Sequence, residues 1–101
     1  MKKLIALYKT PVDADAFMQH YRDTHLPLVA KIPGLVRTEV TRIDRTLMGE
    51  SGNFMLVEMM FADADSFRAA MKSPENAATG ADLANFADGL VTVMTGETIE
   101  P

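Results

Sequence analysis

The sequence contains no cysteine. That excludes disulfides, thiolate nucleophiles and cysteine-ligated zinc or iron–sulfur centres. An excess of positive charge is also missing. Ten Lys and Arg stand against fourteen Asp and Glu, for a formal net charge of -4 and a pI near 5.0. A nucleic-acid binder would present a basic face, so no nucleic-acid partner is expected. No apolar run approaches the ~20 residues that cross a bilayer. The apolar stretch Leu4 to Tyr8 after Lys2-Lys3 ends at Lys9, short of the ~7–15 residues of a signal-peptide core. We therefore expect no membrane partner and a cytoplasmic protein. A Gly-rich phosphate loop and a nicotinamide or flavin fingerprint are both lacking, so no cofactor is expected.

What is present suits one packed domain. The chain has 101 residues, 48% of them hydrophobic and 24% charged. That composition favours a folded core over disorder, and the length expects a single domain over residues 1–101.

Lys3 to Lys9 reads as a strand apolar on both faces, with Leu4, Ala6 and Tyr8 on one and Ile5 and Leu7 on the other. Pro11 ends it. Asp13 or Asp15 then caps a helix that carries Phe17 and Tyr21 on one side. Pro27 has no N–H, so the carbonyl of Asp23 loses its donor, and Leu26 is pushed from helical dihedrals. A break near Thr24 to Leu26 is expected, then a short turn from Pro27 to Ile32, stopped by Pro33-Gly34. Leu35 to Arg45 reads as a more polar strand, suited to a sheet edge. Thr46 to Asn53 reads as a loop, and Phe54 to Phe61 as the most apolar strand. Asp63 or Asp65 caps a second helix. Ser73-Pro74 starts another short helical stretch, with Leu83, Phe86, Ala87 and Leu90 at apolar spacing. Leu90 to Thr98 is the last strand.

The order β-α-β-β-α-β is the ferredoxin-like split βαβ arrangement, an α+β fold with an antiparallel sheet. Helices cover one face of such a sheet. The first and third strands leave the other face apolar as well, a patch that monomers rarely expose. A homodimer packed sheet against sheet would bury it, and curvature would turn the space between the sheets into a pocket.

Few residues here can carry chemistry. His20 and His25 lie five apart, roughly 140° around an α-helix, so they do not share a face and a paired-His metal site is not expected. His20 reads as a surface or packing residue. His25 falls at the predicted break, and Tyr21 lies one turn earlier, about 40° away around the axis. An imidazole there can take and return a proton near neutral pH, and the phenol can hold a substrate oxygen. The same placement also suits a His25 that caps exposed carbonyls beside a core Tyr21. Glu58 interrupts the apolar third strand, where a charge is costly unless paired or solvated. Alternation groups it with Phe54, Leu56 and Met60, a face that would line the inter-subunit space, with water or Arg37 to satisfy the carboxylate. A salt bridge at the dimer interface fits equally. Ser51 and Ser73 have no His and acid partners, so no hydrolase triad is evident.

The stretch Tyr21-Arg22-Asp23-Thr24-His25-Leu26-Pro27-Leu28, followed by Lys31-Ile32-Pro33-Gly34-Leu35, resembles the EthD family. The opening Lys3 to Lys9, the strand end Glu58 to Phe61 and the tail Asp82-Leu83-Ala84-Asn85-Phe86 resemble it too, so the likeness covers essentially the whole chain. The resemblance implies a dimeric α+β barrel and makes His25 the characteristic polar residue, with Tyr21 beside it. Similar barrels include cofactor-free monooxygenases of aromatic polyketides, muconolactone isomerases and haem-binding proteins. The expectation is therefore a small-molecule enzyme for a hydrophobic substrate. His25 would be acid or base, Tyr21 would position the substrate, and Glu58, Arg37, Met60 and Leu56 would contact it. The chemistry expected is that of a cofactor-free monooxygenase. A non-catalytic binding or accessory protein of an oxygenase system, an isomerase or cyclase, and a haem-binding barrel with His25 as ligand are the alternatives.

Overall fold

The computed structural model describes all 101 residues. Its strands are β1 (Lys2–Lys9), β2 (Leu35–Arg42), β3 (Asn53–Phe61) and β4 (Val91–Glu97). Its helices are α1 (Ala14–His20), α2 (Leu26–Val29), α3 (Ala64–Met71) and α4 (Pro74–Phe86), with a π-helical turn over Tyr21–His25 between α1 and α2. The strands form one sheet in the order β2-β3-β1-β4, with every neighbouring pair antiparallel. This is the ferredoxin-like α+β fold expected from the element order. β2 and β4 are the edges, as the polar character of β2 foretold, and β2 is shorter than expected, ending at Arg42.

Local chemistry sets the boundaries. The Asp13 carboxylate accepts from Ala16 N–H at 3.0 Å, and Asp63 accepts from Ser66 N–H at 2.8 Å. These, not Asp15 or Asp65, are the N-caps. Ser73 caps α4 by accepting from Asn76 N–H at 3.1 Å, with Pro74 in the first turn. Gly34 closes the α2–β2 turn at φ +79°, a backbone state that side chains disfavour.

All the helices lie on one face of the sheet. Ala6 and Tyr8 of β1 and Met55, Val57, Met59 and Phe61 of β3 point into that layer and are buried there. The opposite face carries Ile5, Leu7, Leu56 and Met94, all only partly covered or exposed. Phe54 departs from the expected alternation. The β1–β3 register slips between Tyr8 and Lys9, and Phe54 packs in the core against Phe17, with ring centroids 5.5 Å apart.

Pro27 acts differently from expectation. The chain does not break at Leu26, which keeps φ -59° and ψ -40°. Instead the helix widens: Leu26 N–H donates to Tyr21 O, five residues back. An i→i+5 turn moves the preceding carbonyls away from the pyrrolidine ring, so the missing N–H is accommodated without ending the helix.

Candidate active site

The wide turn decides where the histidines go. In an α-helix His20 and His25 would point apart. With i→i+5 spacing, residues five apart come round to one side, and both imidazoles meet a single carboxylate, that of Asp82 in α4. His25 Nδ1 lies 2.9 Å from Asp82 Oδ2, and His20 Nε2 lies 3.0 Å from both Asp82 oxygens. Asn85 Nδ2 donates to Oδ1 at 3.1 Å. Phe86 is packed against both imidazoles, with its ring centroid 4.6 Å from that of His20 and 4.9 Å from that of His25.

The electrostatics of this cluster assign the protons. Burial pushes the Asp82 carboxyl up, but the bonds from Asn85, His25 and His20 outweigh it and hold the pKa below the usual value. Asp82 is thus ionised and can only accept, so His25 Nδ1 carries the proton that it donates. Burial pulls His25 below its ordinary value, against the opposing pull of Asp82. At neutral pH the imidazole is uncharged, its Nδ1–H tied to Asp82 and its Nε2 lone pair left without a protein partner.

His25 forms part of the wall of a cavity of about 280 Å³ between the sheet and the helices. Ten of the fourteen lining residues are hydrophobic, among them Leu4, Val57, Met59 and Leu83. Tyr8 and Tyr21 also line it. The Tyr21 hydroxyl is buried and has no hydrogen-bond partner. Burial raises its pKa to about 12, and burial with the nearby Tyr21 and Asp82 raises that of Tyr8 as well, so both phenols stay protonated. The Tyr21 and His25 rings are 5.8 Å apart, centroid to centroid. The two residues expected to work together are therefore together, at the wall of an apolar space of ligand size.

The cavity is not where the sequence suggested. It lies inside one protomer, under the helices, rather than between two sheets. Glu58, Arg37, Met60 and Leu56 do not line it, because alternation turns them to the opposite face. Glu58 is paired with Lys3 at 2.8 Å, not with Arg37. Arg37 lies over Met60, with Nε 3.1 Å from its sulfur, and pairs with Glu39 at 3.2 Å. His20, expected as a surface or packing residue, belongs to the Asp82 cluster. Asp82 itself was not singled out, although it sits one turn before Phe86 on the inward side of α4.

The EthD domain model matches residues 9–90. The chain belongs to the EthD family. The sequence is 33% identical over 103 residues to an uncharacterised 11.0 kDa protein of the thcB-thcC intergenic region in Rhodococcus erythropolis, covering 100% of both chains. A crystal structure of an EthD family protein from Bacillus halodurans is 47% identical, with a TM-score of 0.91 over 98% of this chain and 99% of that one. More distant structures share the fold alone. One is a dimeric protein of ferredoxin-like fold from Bacteroides fragilis, 22% identical, TM-score 0.61, covering 96% and 95% of the two chains. Another is SnoaB, a cofactor-independent oxygenase from Streptomyces nogalater, 19% identical, TM-score 0.62, covering 99% and 93%.

Proposed function

We propose that this EthD protein is an acid–base enzyme that removes a proton from a compact hydrophobic substrate inside the α/β cavity. The observation that carries the reading is His25, which lines an apolar chamber and has Nδ1 2.9 Å from the Asp82 carboxylate; with Nδ1 donating, Nε2 is left without a protein partner. A carboxylate-held imidazole of this kind is oriented, fixed in one tautomer and stabilised once it takes a second proton. Its lowered pKa keeps it ready to accept that proton at neutral pH.

Tyr21 completes the step. An unsatisfied buried hydroxyl costs about 1–3 kcal/mol, and a substrate oxygen in the cavity removes that cost. The O–H then donates to the oxygen on which negative charge develops as His25 withdraws the proton. The product of the step is an enolate or phenolate held away from water. Reaction of that anion with oxygen gives monooxygenase-type chemistry, and its reprotonation elsewhere gives isomerisation. The fold likeness to a cofactor-independent oxygenase supports the first course. A non-catalytic binder would use the apolar walls equally well, but it has no need of an imidazole held by a buried carboxylate.

The protein is proposed to act as a homodimer. The half-covered apolar face of Ile5, Leu7, Leu56 and Met94 supports this, since a second copy would bury it sheet against sheet. In that arrangement Glu58, Arg37, Met60 and Leu56 belong to the subunit interface and the cavity stays within each protomer.

The test is aerobic turnover, followed by oxygen uptake and product mass, on hydroquinones, anthrones and unsaturated lactones. Wild type and His25→Ala are compared. Turnover lost in a folded His25→Ala variant is the expected result. Turnover that persists in the variant refutes the assignment of His25 as the base.

A further inference from the structure

His20 does not line the cavity, yet it holds the same carboxylate as His25. Its Nε2 is 3.0 Å from both oxygens of Asp82, whereas His25 Nδ1 reaches only Oδ2, at 2.9 Å. The terminal torsion of an Asp side chain is soft and roughly two-fold. One hydrogen bond from His25 would leave the carboxylate plane free to turn. His20 and Asn85 remove that freedom. His20 is in turn held flat, stacked on Phe86 with 20° between the planes. The two imidazoles face different surroundings: the His20 side chain is 30% exposed and that of His25 is 6% exposed.

We propose that His20 is a positioning residue. By gripping both oxygens of Asp82 it fixes the carboxylate plane, and so holds His25 in the tautomer that leaves Nε2 unprotonated at the cavity. The consequence for turnover rests on the reading of His25 as a base; the control of its tautomer does not.

Asp82 favours a proton on His25, and the charge of His20 opposes one. The other titratable groups facing the pair are Tyr8 from β1 and Tyr21 from the π turn, both kept protonated by burial. Asp13 and Asp23 border shallow hollows that His20 lines on its solvent side.

The chain has only two histidines, so nitrogen-15 NMR of the imidazoles is readable in the intact protein. His20→Phe keeps the stack on Phe86 and removes the donor. His20→Gln keeps a donor near the position of Nε2. In wild type His25 is expected in a single Nδ1–H tautomer at pH 7.5. In His20→Phe it becomes a tautomer mixture. In His20→Gln the single tautomer returns.

A single Nδ1–H tautomer that persists unchanged in His20→Phe overturns the proposal. Failure of the acid–base reading is distinguishable. Wild type that turns over none of the panel but keeps the NMR behaviour loses the enzyme assignment and leaves His20 as the positioning residue.

Discussion

Replacing Asp82 by asparagine preserves the shape of the side chain and changes what it can accept. Three N–H donors converge on the carboxylate, from His20, His25 and Asn85, at 2.9 to 3.1 Å. A carboxylate can take all three. An amide offers one acceptor oxygen and brings two N–H groups of its own. At least one donor must then lose its acceptor. His25 is the one least able to find water, since its side chain is only 6% exposed. An unsatisfied buried donor costs about 1–3 kcal/mol, and bonds to a charged group lie in the upper part of that span. Asp82→Asn should therefore lose about 2–3 kcal/mol. For a domain of this size each kcal/mol moves the melting temperature by about 4–8 °C, so a fall of ~10–20 °C is expected.

His25 has one escape, which links stability to chemistry. If the ring changes tautomer, Nδ1 can accept from the new amide and recover part of the loss. The proton then sits on Nε2, and the imidazole can no longer take one from the cavity. The equivalent change in a serine-protease triad lowers kcat by about 10⁴, and a loss of that order is expected here. Urea denaturation gives the first quantity and imidazole NMR the second. An Asp82→Asn protein with the wild-type urea midpoint and an unprotonated Nε2 would refute the reasoning, because Asp82 could not then be what orients His25.

Stability should fall as pH drops below about 6.5, the ordinary value for an unfolded histidine. His25 has a lowered pKa when folded, so the unfolded chain binds its proton first, with a slope of up to ~1.4 kcal/mol per pH unit until the folded pKa is passed. Asp82, also lowered when folded, contributes stability above about 3.9 that is lost as acid protonates it. Urea midpoints from pH 2 to 8 measure both, and a flat profile from 6.5 downward contradicts them. Tyr21→Phe removes the orphan hydroxyl, so the free protein should gain about 1 kcal/mol while a bound phenol such as 2-naphthol is held less tightly. Calorimetry and fluorescence titration read the two effects, and a loss of stability would mean that the hydroxyl has a partner. Leu56→Asp changes only the open sheet face, so it should leave each protomer folded and weaken self-association in sedimentation. An unchanged dimer would rule out the sheet-on-sheet arrangement.

The parts of this fold that were legible in the sequence are those set by near neighbours. Strand alternation, an aspartate cap at Asp13 or Asp15 and at Asp63 or Asp65, and the Pro33-Gly34 stop all act within a few residues. The side of the sheet that holds the cavity does not. Leu4, Ala6 and Tyr8 are no more apolar than Ile5 and Leu7, and alternation separates the two faces without saying which one the helices cover. Glu58 drew attention to the face opposite this cavity because a charge in an apolar strand stands out, while its partner Lys3 is 55 positions away.

The site itself turned on a single angle. Counting 100° per residue correctly joined Tyr21 to His25 and wrongly parted His20 from His25, because that count holds only while the helix stays α. By sequence, Pro27 points to a break near Thr24 to Leu26. Its actual effect is to widen the turn before it, and the widened turn lets two histidines five residues apart reach one carboxylate. Asp82 was hidden for the same reason: with one histidine turned away, nothing in α1 called for an acid opposite it. The usable signal was a carboxylate among the inward residues of α4, one turn ahead of Phe86, since a buried Asp demands donors. With His20 and His25 as the available imidazoles, that demand leads back to the turn before Pro27. A proline just after a histidine pair spaced by five is thus the local feature from which the whole cluster follows.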